Sequence, residues 1–134
     1  MAVYDIAPML AIRDMIDGGR DFGCRFWGTK LVESFGHDAT GKRLSECYPP
    51  ESVEIIRRRM MLAIEQEHPV RCAGVFDFLD SVLPKTYEAI WLGLEDDGGD
   101  VTYAITAIDI GYELTEEDMA PANMGGVLEA IVYK

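Results

Sequence analysis

Residues 26–44 read F-W-G-T-K-L-V-E-S-F-G-H-D-A-T-G-K-R-L, and this stretch carries the clearest structural pattern in the chain. Gly28 and Gly36 bracket a segment whose apolar residues recur at helical spacing, and Gly41 lies in a Thr-Gly-Lys turn just after it. Glycine accepts backbone conformations that other residues resist, so it marks tight turns and helix ends. The pattern predicts a helix of about two turns over residues 29–35, ended by a left-handed residue at Gly36.

Strand patterns lie on both sides of this helix. Met9–Ile16 is apolar, Asp17–Arg20 is a hairpin signal, and Asp21–Trp27 is typical of a returning strand. A long helix is expected over Pro50–Glu67, and turn-separated strands follow at Val70–Leu79, Lys85–Glu95 and Val101–Ile110. Short links between consecutive strands predict an antiparallel meander. In the returning strand, simple alternation predicts that Phe22, Cys24 and Phe26 share one face and that Gly23, Arg25 and Trp27 share the other.

This element order, with the W-G-T…F-G-x-D-x-T-G-x-x-L signature, resembles the bacterial type of PAS domain. The resemblance implies an α+β fold, in which a five-stranded antiparallel sheet has one face covered by a helical middle. It covers residues 9–110, so residues 1–8 are expected to be a lead-in and residues 111–134 a C-terminal extension. A length of 134 residues fits one such domain.

PAS domains are sensory or docking modules, so the resemblance implies a stand-alone sensory or regulatory module in bacterial signal transduction and not an enzyme. In PAS proteins, ligands lie between the sheet and the helical middle. The matching positions predict a site for a small apolar or aromatic ligand, with no cofactor identified. Its expected residues are Trp27, Leu31, Phe35 and Met60 on the helical side and Cys72, Phe76, Tyr87, Trp91, Tyr103 and Ile105 on the sheet. These side chains could equally fill the core, and a one-residue slip would reverse any strand's faces.

The charge of the chain bears on its partners. The net charge is −12, and it is concentrated in the C-terminal half: residues 71–134 contain 13 acidic and 3 basic side chains. Such a surface repels phosphates, which argues against nucleic acid or an anionic membrane as partner. The N-terminus lacks the pattern of a signal peptide and no apolar stretch is long enough to span a bilayer, so a cytoplasmic location is expected. Three cysteines without paired spacing predict free thiols.

Other functions remain open from the residues alone. A ligand-free dimerisation or protein-interaction module is one, with Gly126–Val132 either contacting a partner or covering the domain's own sheet. A small cone-fold enzyme of the nuclear-transport-factor-like type is another, although that fold begins with a long helix.

The sequence gives weaker support for binding a flavin, haem or zinc. The run at residues 23–26 superficially resembles that of flavin photoreceptors, but it lies on a strand instead of in the helical middle. His37 and His68 sit in turn positions that suit haem poorly, and their spacing does not fit zinc. The Arg57-Arg58-Arg59 run is interpreted as a solvated helix face paired with Glu54 or Glu65.

Overall fold

The computed structural model describes residues 3–66, 68–76, 85–111, 113, 115–117 and 131–132 of the chain. They form one antiparallel sheet in the order β2-β1-β5-β4-β3-β6. The strands are β1 (Leu10–Ile16), β2 (Asp21–Trp27), β3 (Val70–Phe76), β4 (Lys85–Glu95), β5 (Val101–Ile110) and β6 (Ile131–Val132). The helices are α1 (Val3–Ile6), α2 (Thr29–Phe35), α3 (Leu44–Cys47) and α4 (Pro50–Gln66), with 3₁₀ turns at Ala7–Met9 and Asp17–Gly19. The predicted α+β fold, a five-stranded antiparallel sheet with a helical middle, is confirmed, and β6 adds a short sixth strand.

The two connections predicted from glycines are present. Residues 17–19 all have positive φ and join β1 to β2. Gly36 has φ 78° and ends α2, where its N–H donates to Val32 O at 2.8 Å. Gly28 immediately precedes α2 and occupies its N-cap position.

A β-bulge in β2 changes the predicted alternation of its side chains. Ile12 of β1 pairs with Phe26, whereas the next residue, Arg13, pairs with Cys24, so Arg25 is an extra residue in β2. The bulge turns Trp27 to the buried side and leaves Phe26 40% exposed. The predicted grouping of Phe26 with Cys24, and of Trp27 with Arg25, was therefore wrong beyond the bulge.

The core lies between the sheet and the helices, and α4 packs against β3, β4 and β5. It joins the helix-facing residues of five strands to the buried faces of α2, α3 and α4. The largest fully buried side chains are Phe22, Leu31, Met60, Val70, Thr106 and Cys72.

The tail contributes to the same sheet. Val132 pairs with Val70 and Ile131 pairs with Arg71, which makes β6 the edge strand beside β3. Of the apolar segment 126–132, residues 126–130 lie outside the described residues, as do residues 77–79 of the predicted third strand and Glu67 of the predicted long helix.

Candidate functional site

The helix-facing side of the sheet is where most of the predicted site residues meet. The ladder pairs Val70 with Trp91, Cys72 with Ala89 and Trp91 with Thr106, and paired residues share a face. Most of the predicted site residues are buried on this side or in the helices over it: Trp27, Leu31, Met60, Cys72, Tyr87 and Trp91. Phe35 of α2 packs against this core and is partly buried. Phe76 ends β3, and its side chain lies outside the described part of the structure.

Two predicted residues lie on the wrong side of the sheet. Tyr103 pairs with Asp14 and Ile105 with Ile12, on the face that points away from the helices. Tyr103 instead lies beside Arg25, whose guanidinium carbon is 4.7 Å from the centroid of its ring. On β5, Ala104, Thr106 and Ile108 point inward and are buried. The prediction therefore assigned the wrong alternating set of β5 residues to the helix-facing side.

Sequence reasoning missed four polar side chains that are buried with this core: Arg13, Ser52, Arg59 and Thr106. For two of them, the spacing of residues in the sequence indicated that they would be buried. Arg13 alternates with Ala11 and Met15 along β1, so strand periodicity alone places it with apolar neighbours. Arg59 follows Ser52 by seven residues on α4, which is the spacing of one helix face.

The arginine run of α4 therefore divides between surface and core. Arg57 and Arg58 pair with Glu54 at 3.0 and 3.2 Å, as the interpretation of a solvated face required. Arg59 departs from it because it is only 8% exposed. Its Nη1 donates a 2.6 Å hydrogen bond to the phenol oxygen of Tyr87 on β4.

Cys72 and Trp91 lie beside Tyr87 on the same sheet face. Burial raises the pKa of the Cys72 thiol and raises the pKa of Tyr87 to about 12, so both groups are neutral at pH 7. The indole Nε1 of Trp91 is buried, and a contact of the Trp91 side chain with the Cys72 thiol opposes the rise in the pKa of Cys72.

The other end of the core holds an aromatic cluster, which we define as Trp27, Phe35, His37 and Tyr48. The Trp27 and Phe35 ring centroids are 5.3 Å apart with their planes at 65°, and the His37 ring stacks on Trp27 at 6.1 Å. Tyr48 lies 6.4 Å from Phe35 and 6.1 Å from His37. Trp27 Nε1–H donates to the carbonyl oxygen of His37 at 3.1 Å, which holds the turn after α2 against β2.

Arg13 lies against this cluster. Its guanidinium carbon is 5.2 Å from the centroid of the Trp27 ring, and its side chain is only 4% exposed. Burial raises the pKa of Cys24 and Cys47, and raises the pKa of Tyr48 to about 12, while the charge of Arg13 opposes each of these shifts. The surroundings of Arg13 are therefore aromatic rings, thiols and a phenol that stay neutral at pH 7.

The glycine-marked segment after α2 forms one wall of this region. The Asp38 carboxylate accepts hydrogen bonds from the backbone N–H and the hydroxyl of Thr40, and these bonds lower the pKa of Asp38. Gly41 N–H then donates to Cys24 O at 2.8 Å, and Cys24 N–H donates to Lys42 O at the same distance. The turn is thus hydrogen-bonded to the outer edge of β2, beside Cys24.

Other kinds of site find little support. No group of three or more histidine, cysteine or acidic side chains among the described residues could hold a metal ion. Within the same part of the chain, no helix has the length and apolar character needed to cross a bilayer. A surface groove of about 230 Å³ lies beside α2 and the end of β5, lined by Met9, Lys30, Glu33, Ser34, Ile108, Asp109 and Ile110.

Comparison with known proteins finds similarity in structure but not in sequence. No family model matches the chain, and no curated protein sequence matches it. The structure of VqmA bound to DPO superposes with a TM-score of 0.62 at 14% identity, covering 79% of this chain and 52% of that one. This chain therefore spans about half the length of that structure.

Two further structures extend the comparison. A sensory box sensor histidine kinase from Vibrio cholerae superposes with a TM-score of 0.55 at 14% identity, covering 75% of this chain and 77% of that one. The light-state LOV domain of the blue-light photoreceptor Aureochrome1 gives a TM-score of 0.52 at 14% identity, with 87% and 91% covered. At these identities the likeness concerns the fold, and the fold of this chain is that of PAS and LOV domains.

Proposed function

We propose that this chain is a sensory or regulatory module of the PAS type in bacterial signal transduction, which binds a small apolar or aromatic molecule between its sheet and its helices. The main support for the proposal is that polar side chains are buried in the core between the sheet and the helices. Arg13 and Arg59 reach the core from opposite walls, one from the sheet and one from α4.

A core that served stability alone would gain little from burying Arg13, which has no hydrogen-bond partner among the described residues. Burying a polar side chain costs free energy unless it is hydrogen-bonded, and a buried cation costs more. A domain of 134 residues has a modest core and little stability to spare. Buried cations beside aromatic rings are expected where a protein recognises a small molecule, because the rings supply contact area and the polar groups fix orientation.

Native mass spectrometry of the freshly purified chain tests this proposal directly, since it shows whether a small molecule is bound. Tryptophan fluorescence tests it in solution. The chain has two tryptophans, Trp27 and Trp91, and both are buried on the helix-facing side of the sheet. A ligand in this layer should therefore change the emission and raise the melting temperature together, because it binds only the folded state.

A matched pair of variants on β5 locates the binding. Ala104→Leu adds volume on the buried, helix-facing side, whereas Ala107→Leu adds the same volume on the opposite face. We expect Ala104→Leu to abolish the fluorescence and melting responses and Ala107→Leu to keep them. Absence of any bound mass and of any response to a metabolite panel would reject the ligand-binding function.

A second function is favoured by the outer face of the sheet, where an apolar row crosses four strands. Phe26, Ile12, Ile105 and Leu92 are successive cross-strand partners. Phe26 and Ile90 nearby are 40% and 46% exposed. Such a patch suits contact with a second copy of the chain.

Sedimentation across a concentration series tests this dimer. We expect Ile90→Glu to shift the wild-type dimer to monomer, because it places a charge in the apolar face. Gln66→Glu, at an exposed position of α4, adds the same charge away from that face and should leave the dimer intact. A wild-type chain that stays monomeric at every concentration would reject this function. The expectation that the chain avoids nucleic acid and membranes, drawn from its charge, remains a prediction.

A further inference from the structure

We propose that Arg13 and the aromatic cluster bind the carboxylate of a small aromatic acid. This inference rests on the proposed ligand-binding function and names the chemical class of the ligand. It places the carboxylate on the guanidinium of Arg13 and the flat body of the acid among the cluster's rings.

The first observation is a buried charge without a counter-ion. Arg13 is 4% exposed, yet it makes no ion pair and no hydrogen bond with any residue that the structure describes. Its contact with the Trp27 ring at 5.2 Å contributes a cation–π attraction. That attraction offsets only part of the free energy that it costs to bury an ion. The side chain is largely buried, but none of its nitrogens is both enclosed and unpartnered, so the guanidinium stays accessible to an anion.

The carboxylates near Arg13 are engaged elsewhere. Asp14 points to the other side of β1, where it pairs with Arg25 at 2.8 Å. Asp21 accepts a 2.6 Å hydrogen bond from the Ser45 hydroxyl, and Asp38 caps the turn at Thr40. The thiols and the phenol around Arg13 stay neutral at pH 7 because burial raises the pKa of each. Among the described residues, these carboxylates do not pair with Arg13.

The second observation is an orphaned nitrogen in the same cluster. His37 Nδ1 lies 3.2 Å from the carbonyl oxygen of Phe35, which can only accept, so Nδ1 carries the proton of that bond. Nε2 is buried and has no partner among the described residues. In this tautomer Nε2 accepts a hydrogen bond, so a ligand with an O–H or N–H group could donate to it.

Together these groups specify a ligand. A carboxylate matches the guanidinium fork of Arg13 with two parallel hydrogen bonds. A flat ring suits Trp27, Phe35 and Tyr48, whose planes lie at large angles to one another. A hydroxyl or amino group on that ring would donate to His37 Nε2. Hydroxybenzoates and aminobenzoates combine all three features in one small molecule.

The experiment uses the full chain and four probes: 4-hydroxybenzoate, 4-aminobenzoate, benzoate and the neutral benzamide. Binding is measured by tryptophan fluorescence and by melting temperature, with sodium chloride at matched ionic strength as the control for simple anions. We expect the two substituted benzoates to bind more tightly than benzoate, and benzoate to bind about tenfold or more tightly than benzamide, because a charge-assisted bond is lost with the amide. This comparison needs no variant, so a folding defect cannot obscure it.

Two variants then assign the carboxylate to Arg13. Arg13→Met keeps the length and removes the charge, and Arg13→Lys keeps the charge without the fork. We expect benzoate affinity to fall about tenfold or more in Arg13→Met and less in Arg13→Lys. Arg58→Met, at an exposed position of α4, is the matched control and should bind benzoate as the wild type does.

The inference is overturned if none of the three carboxylates stabilises the wild type, if benzamide or chloride acts as well as benzoate, or if Arg13→Met keeps full affinity. These failures are distinct from failure of the proposed function. Suppose that native mass spectrometry finds a bound neutral molecule and that Ala104→Leu loses the ligand-induced change in tryptophan emission. The ligand-binding function would then stand, and the proposal of an aromatic acid would be rejected.

Discussion

Arg59 on α4 and Tyr87 on β4 are joined by a 2.6 Å hydrogen bond in the buried layer between helix and sheet. The bond fixes the long helix over the strand at one point, where apolar packing alone would be less specific about their relative position. It also gives the buried phenol oxygen of Tyr87 a charged donor.

Replacing this phenol should be costly. Tyr87→Phe removes an acceptor from a buried guanidinium while keeping the ring, and we expect the free energy of unfolding to fall by about 2 kcal/mol. Tyr103→Phe, on the outer face of the sheet, is the matched control and should change it by less than about 0.5 kcal/mol. Urea denaturation measures both, and equal small losses would contradict the importance of the buried bond.

Gly28 is expected to be irreplaceable for a steric reason. A Cβ at this position would clash with the carbonyl oxygen of Pro8 and come within 2.5 Å of Ala7 O, both of which are backbone atoms. We expect Gly28→Ala to lower the free energy of unfolding by about 3 kcal/mol, because the turn before β1 would have to move. The same denaturation experiment measures it.

The control for Gly28 is another glycine of the same hairpin region. A Cβ at Gly23 would meet only the tip of the Ile16 side chain, at 3.3 Å, and that tip can rotate away. Gly23→Ala should therefore change the free energy of unfolding by less than about 1 kcal/mol. A Gly28→Ala protein as stable as Gly23→Ala would show that the approach of residues 7–8 is not constrained.

Much of the fold could be predicted because its signals are local. The bounds of β2 and α2 coincide with those expected from turn residues and apolar spacing, since each signal lies within a few residues of the feature it sets. The β5 face could not be predicted in the same way. Val101–Ile110 is apolar on both sides, so alternation offers no preference, and only pairing with β1 and β4 selects Thr106 to point inward.

The candidate site was predictable only in part for related reasons. The bulge at Arg25 depends on how β2 pairs with β1, and it decides that Trp27 joins the core. Arg13 and Arg59 were missed because charged residues are usually exposed, and that general expectation outweighed their periodicity. These exceptions to the usual pattern are the residues on which the proposals above depend.

Acid should weaken α4 through Glu54. Hydrogen bonds from Arg57, and then from Arg58, lower the pKa of Glu54 from 4.5 to about 2. A carboxylate whose pKa is lower in the folded state stabilises that state above its unfolded pKa. This contribution is complete above about pH 4.5 and is lost as the pH falls toward about 2.

Glu54→Gln should therefore be less stable than the wild type at pH 7, and the difference should shrink as the pH falls through this window. Gln66→Ala, at an exposed position of the same helix, changes no titratable group and is the control: its difference from the wild type should not vary with pH. Urea denaturation followed by helical circular dichroism at a series of pH values measures both. A Glu54→Gln deficit that stays constant from pH 7 to pH 3 would contradict the role of this ion pair.

Alkali should destabilise the chain through its buried phenols. Burial raises the pKa of Tyr48 from 10 to about 12, so the unfolded state loses this proton first as the pH rises. Because Tyr48 keeps its proton to a higher pH in the folded state than in the unfolded state, raising the pH favours unfolding. The free energy of unfolding therefore falls between about pH 10 and pH 12. The expected loss is on the order of 2 kcal/mol.

Tyr48→Phe has no proton to lose and should be less sensitive to alkali by this amount. The absorbance of tyrosinate provides a second readout: in the folded wild type, Tyr48 should ionise only near the pH of unfolding. Tyr103→Phe, on the partly exposed outer face, is the control and should keep the full alkaline sensitivity of the wild type. If Tyr48 titrates near pH 10 in the folded chain, the aromatic cluster is open to water, and the buried environment on which the carboxylate site depends is absent.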